Sequence, residues 1–252
     1  MLPSTHSDDA VFEELLEGFQ TDVATAARCF YAIAAINHLA GNDAGLLAKL
    51  NEAPDFWNLV QRANQTTLFI ALGRTFDQGK DARHSLDKLV TAAQANNREL
   101  FTAQRLADRK RRTSDNADSW LPDYLKGTYV PTARDFRAVR TARDRYRKVF
   151  EASYRPIRTE IYAHPMASKS EAVDLFSATR VSELQRIIRF LQRLGDGLWA
   201  LYWNGDNPMK RRPFPPIHIE RLVASAFQGG FSSDQQIIVD ATRRVMEQLR
   251  KL

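Results

Sequence analysis

Residues 132–165 read TARDFRAVRTARDRYRKVFEASYRPIRTEIYAHP. Thr132 can cap a helix, and Phe136, Val139, Tyr146, Val149 and Phe150 recur at the spacing of one helical face. A long helix is therefore expected. Pro156 has no amide N–H and its ring crowds the preceding turn, so it should kink or split that helix, and Pro165 should end it. Between Arg134 and Arg158, nine Arg or Lys stand against three acids. That excess of six equals the net charge of the whole 252-residue chain, +6. Clustered Arg attracts phosphates and pairs with them bidentately, so the run is either a solvated face or a polyanion track. A second cluster, Arg105 followed by Arg109, Lys110, Arg111 and Arg112, lies upstream and is open to the same two readings.

Outward from this helix the chain reads as all-α. Ser7 opens a helix carrying Val11, Phe12, Leu15, Leu16 and Phe19, continuing through Phe30 to Leu39 and ending at Gly41. A second starts near Pro54, which suits a first helical turn. Ser85 opens a short one, and Asn96 or Asn97 opens another that runs into the upstream basic cluster. Residues 113–131 contain two Pro and several turn formers, and are expected as a connecting excursion with at most a turn around Trp120 to Leu125. Ser170 to Asn204 reads as one or two helices with a stripe of Leu184, Ile187, Ile188, Leu191, Leu194, Leu198 and Leu201. Four Pro in residues 205–216 mark a linker, and two short helices follow on either side of Gly229 and Gly230. The expected division is a helical domain over 1–204 and a Pro-rich linker with a small helical appendage over 205–252.

Composition narrows the function classes. Apolar residues make up 44%, enough for a substantial core. The single Cys29 excludes an intrachain disulfide framework and a multi-cysteine zinc site, and its apolar neighbours suggest a buried small hydrophobe. No apolar stretch reaches the ~20 residues of a membrane span, and the N-terminus lacks the pattern of a signal peptide. A cytoplasmic protein with no membrane partner is expected. There is no Gly-rich phosphate loop and no Ser nucleophile elbow. No metal or cofactor is expected. His6, His38, His84 and His218 are scattered, each with an easy structural explanation.

His164 differs. Arg158, five intervening residues of which Ala163 is the last, then His164 resembles the signature of HEPN domains, in which an Arg and a His are so spaced at the end of a long helix. With the upstream Ala71-Leu72-Gly73-Arg74-Thr75-Phe76-Asp77 and Ser85-Leu86, it is similar to the abortive-infection AbiU-like branch of that superfamily. The resemblance covers about residues 10–204.

It implies a HEPN-like helical bundle that dimerises, with the two motifs meeting at the dimer cleft. Active relatives are metal-independent endoribonucleases of toxin–antitoxin or anti-phage systems, and others are silent binding modules. Arg158 and His164 are then the catalytic pair. Glu160, Tyr162, Arg74 and Asp77 are supporting candidates, the alternatives being a solvent-facing Glu160, a packed Tyr162 and a buried ion pair at Arg74 and Asp77. Arg137, Arg140, Arg143, Arg147 and Arg155 are candidates for binding RNA. The other expected partners are a second copy of the chain and an antitoxin protein.

Overall fold

The structure, a computed structural model, describes residues 5–163, 168–208, 218–224 and 234–251. Among these it is all-helical, with no strand. The elements are α1 (Thr5–Asn42), α2 (Ala44–Leu50), α3 (Pro54–Phe76), α4 (Leu86–Ala95), α5 (Asn97–Leu100), α6 (Ala103–Thr113), α7 (Ala117–Lys126), α8 (Ala133–Val149), α9 (Lys169–Ser177), α10 (Val181–Asn204), α11 (Ile219–Ala224) and α12 (Asp234–Arg250). Two π-helical stretches, Phe150–Tyr154 and Ile157–Ala163, follow α8.

The chain forms two compact units. The first comprises residues 1–21, 74–152 and 189–213, and the second 22–73, 153–188 and 214–252. Helices α1, α3 and α10 each contribute one end to either unit.

In the first unit, Phe12, Leu16 and Phe19 of α1 are buried with Leu86, Leu89 and Val90 of α4 and Leu198, Leu201 and Tyr202 of α10. The ring of Phe12 meets Phe101 edge-on at 5.6 Å and Tyr202 at 5.1 Å. Phe76 stacks on Phe150 at 4.7 Å. Gly195 lies inside α10, where a Cβ would come within 3.3 Å of Phe19.

The upstream basic cluster is not uniformly a solvated face or a phosphate track. Arg109 is 1% exposed. Its Nε donates to the carbonyl of Tyr202 (3.1 Å), Nη1 to Asp9 Oδ1 (3.1 Å) and Nη2 to the carbonyl of Leu100 (2.8 Å). The guanidinium lies 3.9 Å over the Tyr202 ring, whose hydroxyl is 2.8 Å from both Asp9 Oδ1 and Glu13 Oε1. Burial lowers the Arg109 pKa, while the neighbouring Tyr202 and Asp9 oppose that fall. The same burial, together with the carboxylate acceptors, raises the Tyr202 pKa. Breaking a buried pair leaves an uncompensated charge. Arg109→Ala is therefore expected to cost about 3–5 kcal/mol, read as a lower urea midpoint with little change in slope.

Two helices depart from expectation. The segment from Asn97 breaks at Phe101, whose ring enters the core, and Thr102 Oγ1 accepts from Arg105 N–H (3.2 Å) to start α6 afresh. Residues 117–126 form a ten-residue helix with Pro122 inside it, rather than one turn. Ala117 and Leu121 on its inner face are buried. Pro122 lies on the exposed side, where water can reach the carbonyl that loses its partner.

In the second unit, Val23 to Ile36 of α1 supply an apolar face alongside Leu68, Phe69 and Leu72 of α3 and Ile187 and Ile188 of α10. The expected C-terminal appendage takes part in this unit's core. Met246 of α12 is buried among Ile36, Ala40, Leu46 and Leu50, with Leu249 beside them. Arg250 Nε pairs with Asp43 Oδ2 (3.2 Å), and the other carboxylate oxygen, Oδ1, caps α2 through Leu46 N–H (3.0 Å). A helix too small to hold a core alone is thus stabilised by one it shares. Residues 209–217, most of the expected Pro-rich linker, and Gly229 and Gly230 lie outside the described residues.

By length and hydropathy the Asp8–Asn42 part of α1 meets the test for a membrane span, which the buried core helix of a protein also meets, and half of its apolar window is buried within the protein.

Candidate active site

The motif helix begins as expected. The Asp135 carboxylate accepts from the Thr132 N–H and hydroxyl (2.7 Å each) and from the Tyr129 hydroxyl (2.7 Å). Burial opposes the Asp135 charge, yet these hydrogen bonds together hold its pKa below the ordinary value. The Tyr129 pKa is pushed up to about 12, chiefly because its hydroxyl is committed to Asp135.

Pro156 does not split the helix. It sits between the two π-helical stretches. Proline leaves the carbonyl four residues back without an α-type donor, and a slip of the ladder from i+4 to i+5 pairing carries the chain past it. Such wide turns often mark functional positions.

Aromatic packing holds the second stretch. Tyr154 and Ile157 are buried. Phe69 of α3 stacks with both Tyr154 (6.4 Å) and Tyr162 (5.5 Å). The Tyr154 hydroxyl donates to the carbonyl of Arg180 (3.0 Å), and burial pushes its pKa up to about 12. The Tyr162 hydroxyl donates to Gln65 Oε1 (3.0 Å), and its pKa is raised by burial. One face of the Tyr162 ring lies on Phe69.

Arg158 is half-buried on this stretch. Its side chain crosses Gly73 of α3 so closely that a Cβ there would overlap Nε and Cδ. The Nε is shielded from water and has no hydrogen-bond partner among the described residues. Thr159, Glu160 and Arg155 are exposed. His164, the second member of the motif, lies outside the described residues.

The remaining candidates, Arg74, Asp77 and the cations of α8, belong to the first unit. There Arg74 is exposed and Asp77 Oδ1 accepts from Gly79 N–H (2.9 Å) to form the turn after α3. Ser85 caps α4 through Lys88 N–H (3.4 Å), and Leu86 is fully buried. On α8, Arg137 is exposed and Arg140 half-buried. Arg143 and Arg147 are tied down: Nη1 of the former lies 2.8 Å from Asp87 Oδ1, and Nη2 of the latter 2.5 Å from Asp87 Oδ2. Their side chains are only 15% and 12% exposed. The track therefore offers fewer open cations than the sequence count.

Asp87, Gly73 and Gln65 were not singled out as site residues from sequence. Asp87 stands two places after the Ser85 cap and Gly73 inside the Ala71–Asp77 phrase, but only the packing gives them roles. Cys29 is half-buried, and burial raises its thiol pKa, which disfavours the nucleophilic thiolate. Among the described residues no group of three His, Cys, Asp or Glu is placed to hold a metal ion.

The sequence model of the AbiU2 family of HEPN proteins matches residues 9–214, about four fifths of the chain. No curated protein and no solved structure matches it.

Proposed function

Because the chain belongs to the AbiU2 family of the HEPN superfamily, we propose that it is a metal-independent endoribonuclease of abortive infection, acting through Arg158 and His164. The observation that carries this reading is the family match over residues 9–214, within which Arg158 stands on a π-helical stretch after the basic helix α8.

RNA brings its own nucleophile. A base takes the proton of the 2′-hydroxyl, the 2′-oxygen attacks phosphorus, and the 5′-oxygen leaves with a proton from an acid. The products are a 2′,3′-cyclic phosphate and a 5′-hydroxyl. An imidazole titrates near neutrality and can serve either proton transfer. A C-terminal helix end also favours the imidazolium. Arg stays charged and stabilises the extra charge on the phosphorane.

The test is incubation with total RNA in EDTA. Cyclic-phosphate ends are expected, unchanged by the chelator. Cleavage that stops with EDTA and returns with magnesium would reject this mechanism. A silent binding module is the second reading, favoured by Thr159, which stands directly after Arg158 where many relatives carry Asn, Asp or His. Binding without cleavage would identify it. An antitoxin partner belongs to the ribonuclease reading, since an unrestrained nuclease arrests its host.

Arg137 and Arg140 are the cations of α8 proposed to meet the RNA backbone. Replacing both with Ala should weaken binding and reduce the slope of log affinity against log salt by about 1.4, roughly 0.7 per phosphate lost on a single strand. An unchanged slope would make these residues a solvated face. The Arg143→Ala change alone should alter the slope less, because its guanidinium is already paired with Asp87.

A further inference from the structure

We propose that Gly73 is a positioning residue for Arg158, and that the guanidinium it seats grips an RNA phosphate end-on, through its two terminal nitrogens. The inference rests on the ribonuclease reading and deepens it.

Gly73 is the single glycine of α3. A glycine inside a helix is unfavourable relative to alanine, so its presence asks for a local reason. The reason is a cradle. Arg158 crosses the α3 backbone at this residue, and a Cβ would overlap Cδ and Nε and stand 2.9 Å from Cζ. Every residue other than glycine would push the guanidinium away.

The second observation is the Nε–H itself. It is shielded from water and unpartnered among the described residues. A buried donor left unmade is costly, and such groups in native structures call for an explanation. Here the seat that seals Nε also fixes the direction of the fork. A guanidinium has five N–H donors, one on Nε and two on each Nη. With Nε closed off, the side-on grip that uses Nε and one Nη is unavailable. Nη1 and Nη2 remain, and their paired N–H groups span two oxygens of one phosphate. The chain holds this arginine in one orientation before RNA arrives, which is the condition for stabilising charge that develops only in the transition state.

The test places Gly73→Ala in two backgrounds. In the parent protein it is expected to lower the metal-free cleavage rate about 10²-fold, as an ångström-scale misplacement does, with RNA affinity nearly unchanged. In Arg158→Ala the same change should lower the residual rate less than about twofold, since there is no guanidinium left to misplace. Equal losses in the two backgrounds would overturn the proposal. Hydrogen exchange provides a readout independent of activity. By ¹⁵N NMR, the Arg158 Nε–H should exchange slowly in the parent and rapidly in Gly73→Ala. Fast exchange in the parent overturns the seat, whether or not RNA is cut. A parent protein that cuts no RNA rejects the ribonuclease reading and with it the phosphate grip, and the exchange rate then decides the seat alone. Should Gly73→Ala lose its cooperative unfolding transition, the double variant Gly73→Ala/Arg158→Ala empties the overlap and should regain it. Failure to regain it also counts against the proposal.

Discussion

His164→Ala should reduce RNA cleavage by about 10²–10⁴-fold, the usual contribution of a positioned acid or base. Arg158→Ala should cost about 10²–10³-fold, the range for losing one preorganised donor to a developing oxyanion. The two losses should combine less than multiplicatively, because both groups act on the same phosphate. Neither change should disturb the helical circular dichroism. Single-turnover cleavage of a labelled RNA in EDTA, with each variant against the parent, checks the expectation. A His164→Ala protein that cuts at the parent rate would remove the imidazole from the mechanism and turn attention to the remaining cations of the motif helix.

The second large effect concerns mixed dimers. On a regular α-helix six residues advance the axis by roughly 9 Å and rotate the side chain by about 240°. By that α-helical measure, the one residue order offers, Arg158 and His164 of one chain would point in different directions, and the resemblance to HEPN domains independently implies motifs that meet at a dimer cleft. We propose a two-fold dimer that sets Arg158 of one chain beside His164 of the other. Mixing Arg158→Ala with His164→Ala, each dead alone, then rebuilds one intact pair per mixed dimer. Up to about half of the parental activity per mixed dimer is the expected recovery. A fully active monomer at assay concentration would reject the shared site.

The same calculation shows how far residue order reaches. Its α-helical phase does not apply over Ile157–Ala163, where the backbone is π-helical. Pro156 announces a disturbance, but sequence alone reads it as a kink or a break. Whether the ladder breaks or widens depends on what anchors the turns beyond the proline. Here Tyr154 and Tyr162 are pinned by Phe69, Gln65 and the carbonyl of Arg180 and Ile157 is buried, so a wider helix meets fewer losses than an open one.

Local chemistry was legible wherever it was local. The Ser85 cap, the start of α3 at Pro54, the apolar stripe of α10 and the all-helical class follow from propensity and a 3.6-residue period, which neighbours along the chain decide. The family was legible for a similar reason, its phrases being short contiguous strings. Charge was not. Arg109 reads as one more cation in a basic run, yet it is sealed beside Asp9, a hundred residues away. Arg143 and Arg147 count as two open cations in the sequence and are instead shared by Asp87 of α4. The C-terminal piece reads as an appendage too small to hold a core alone, and its last helix packs on Ile36, Leu46 and Leu50 from the first fifth of the chain. A helix period depends on residues three or four apart. Burial, ion pairing and the seat of Arg158 on Gly73 depend on residues brought together by packing, and only the tertiary structure decides which those are.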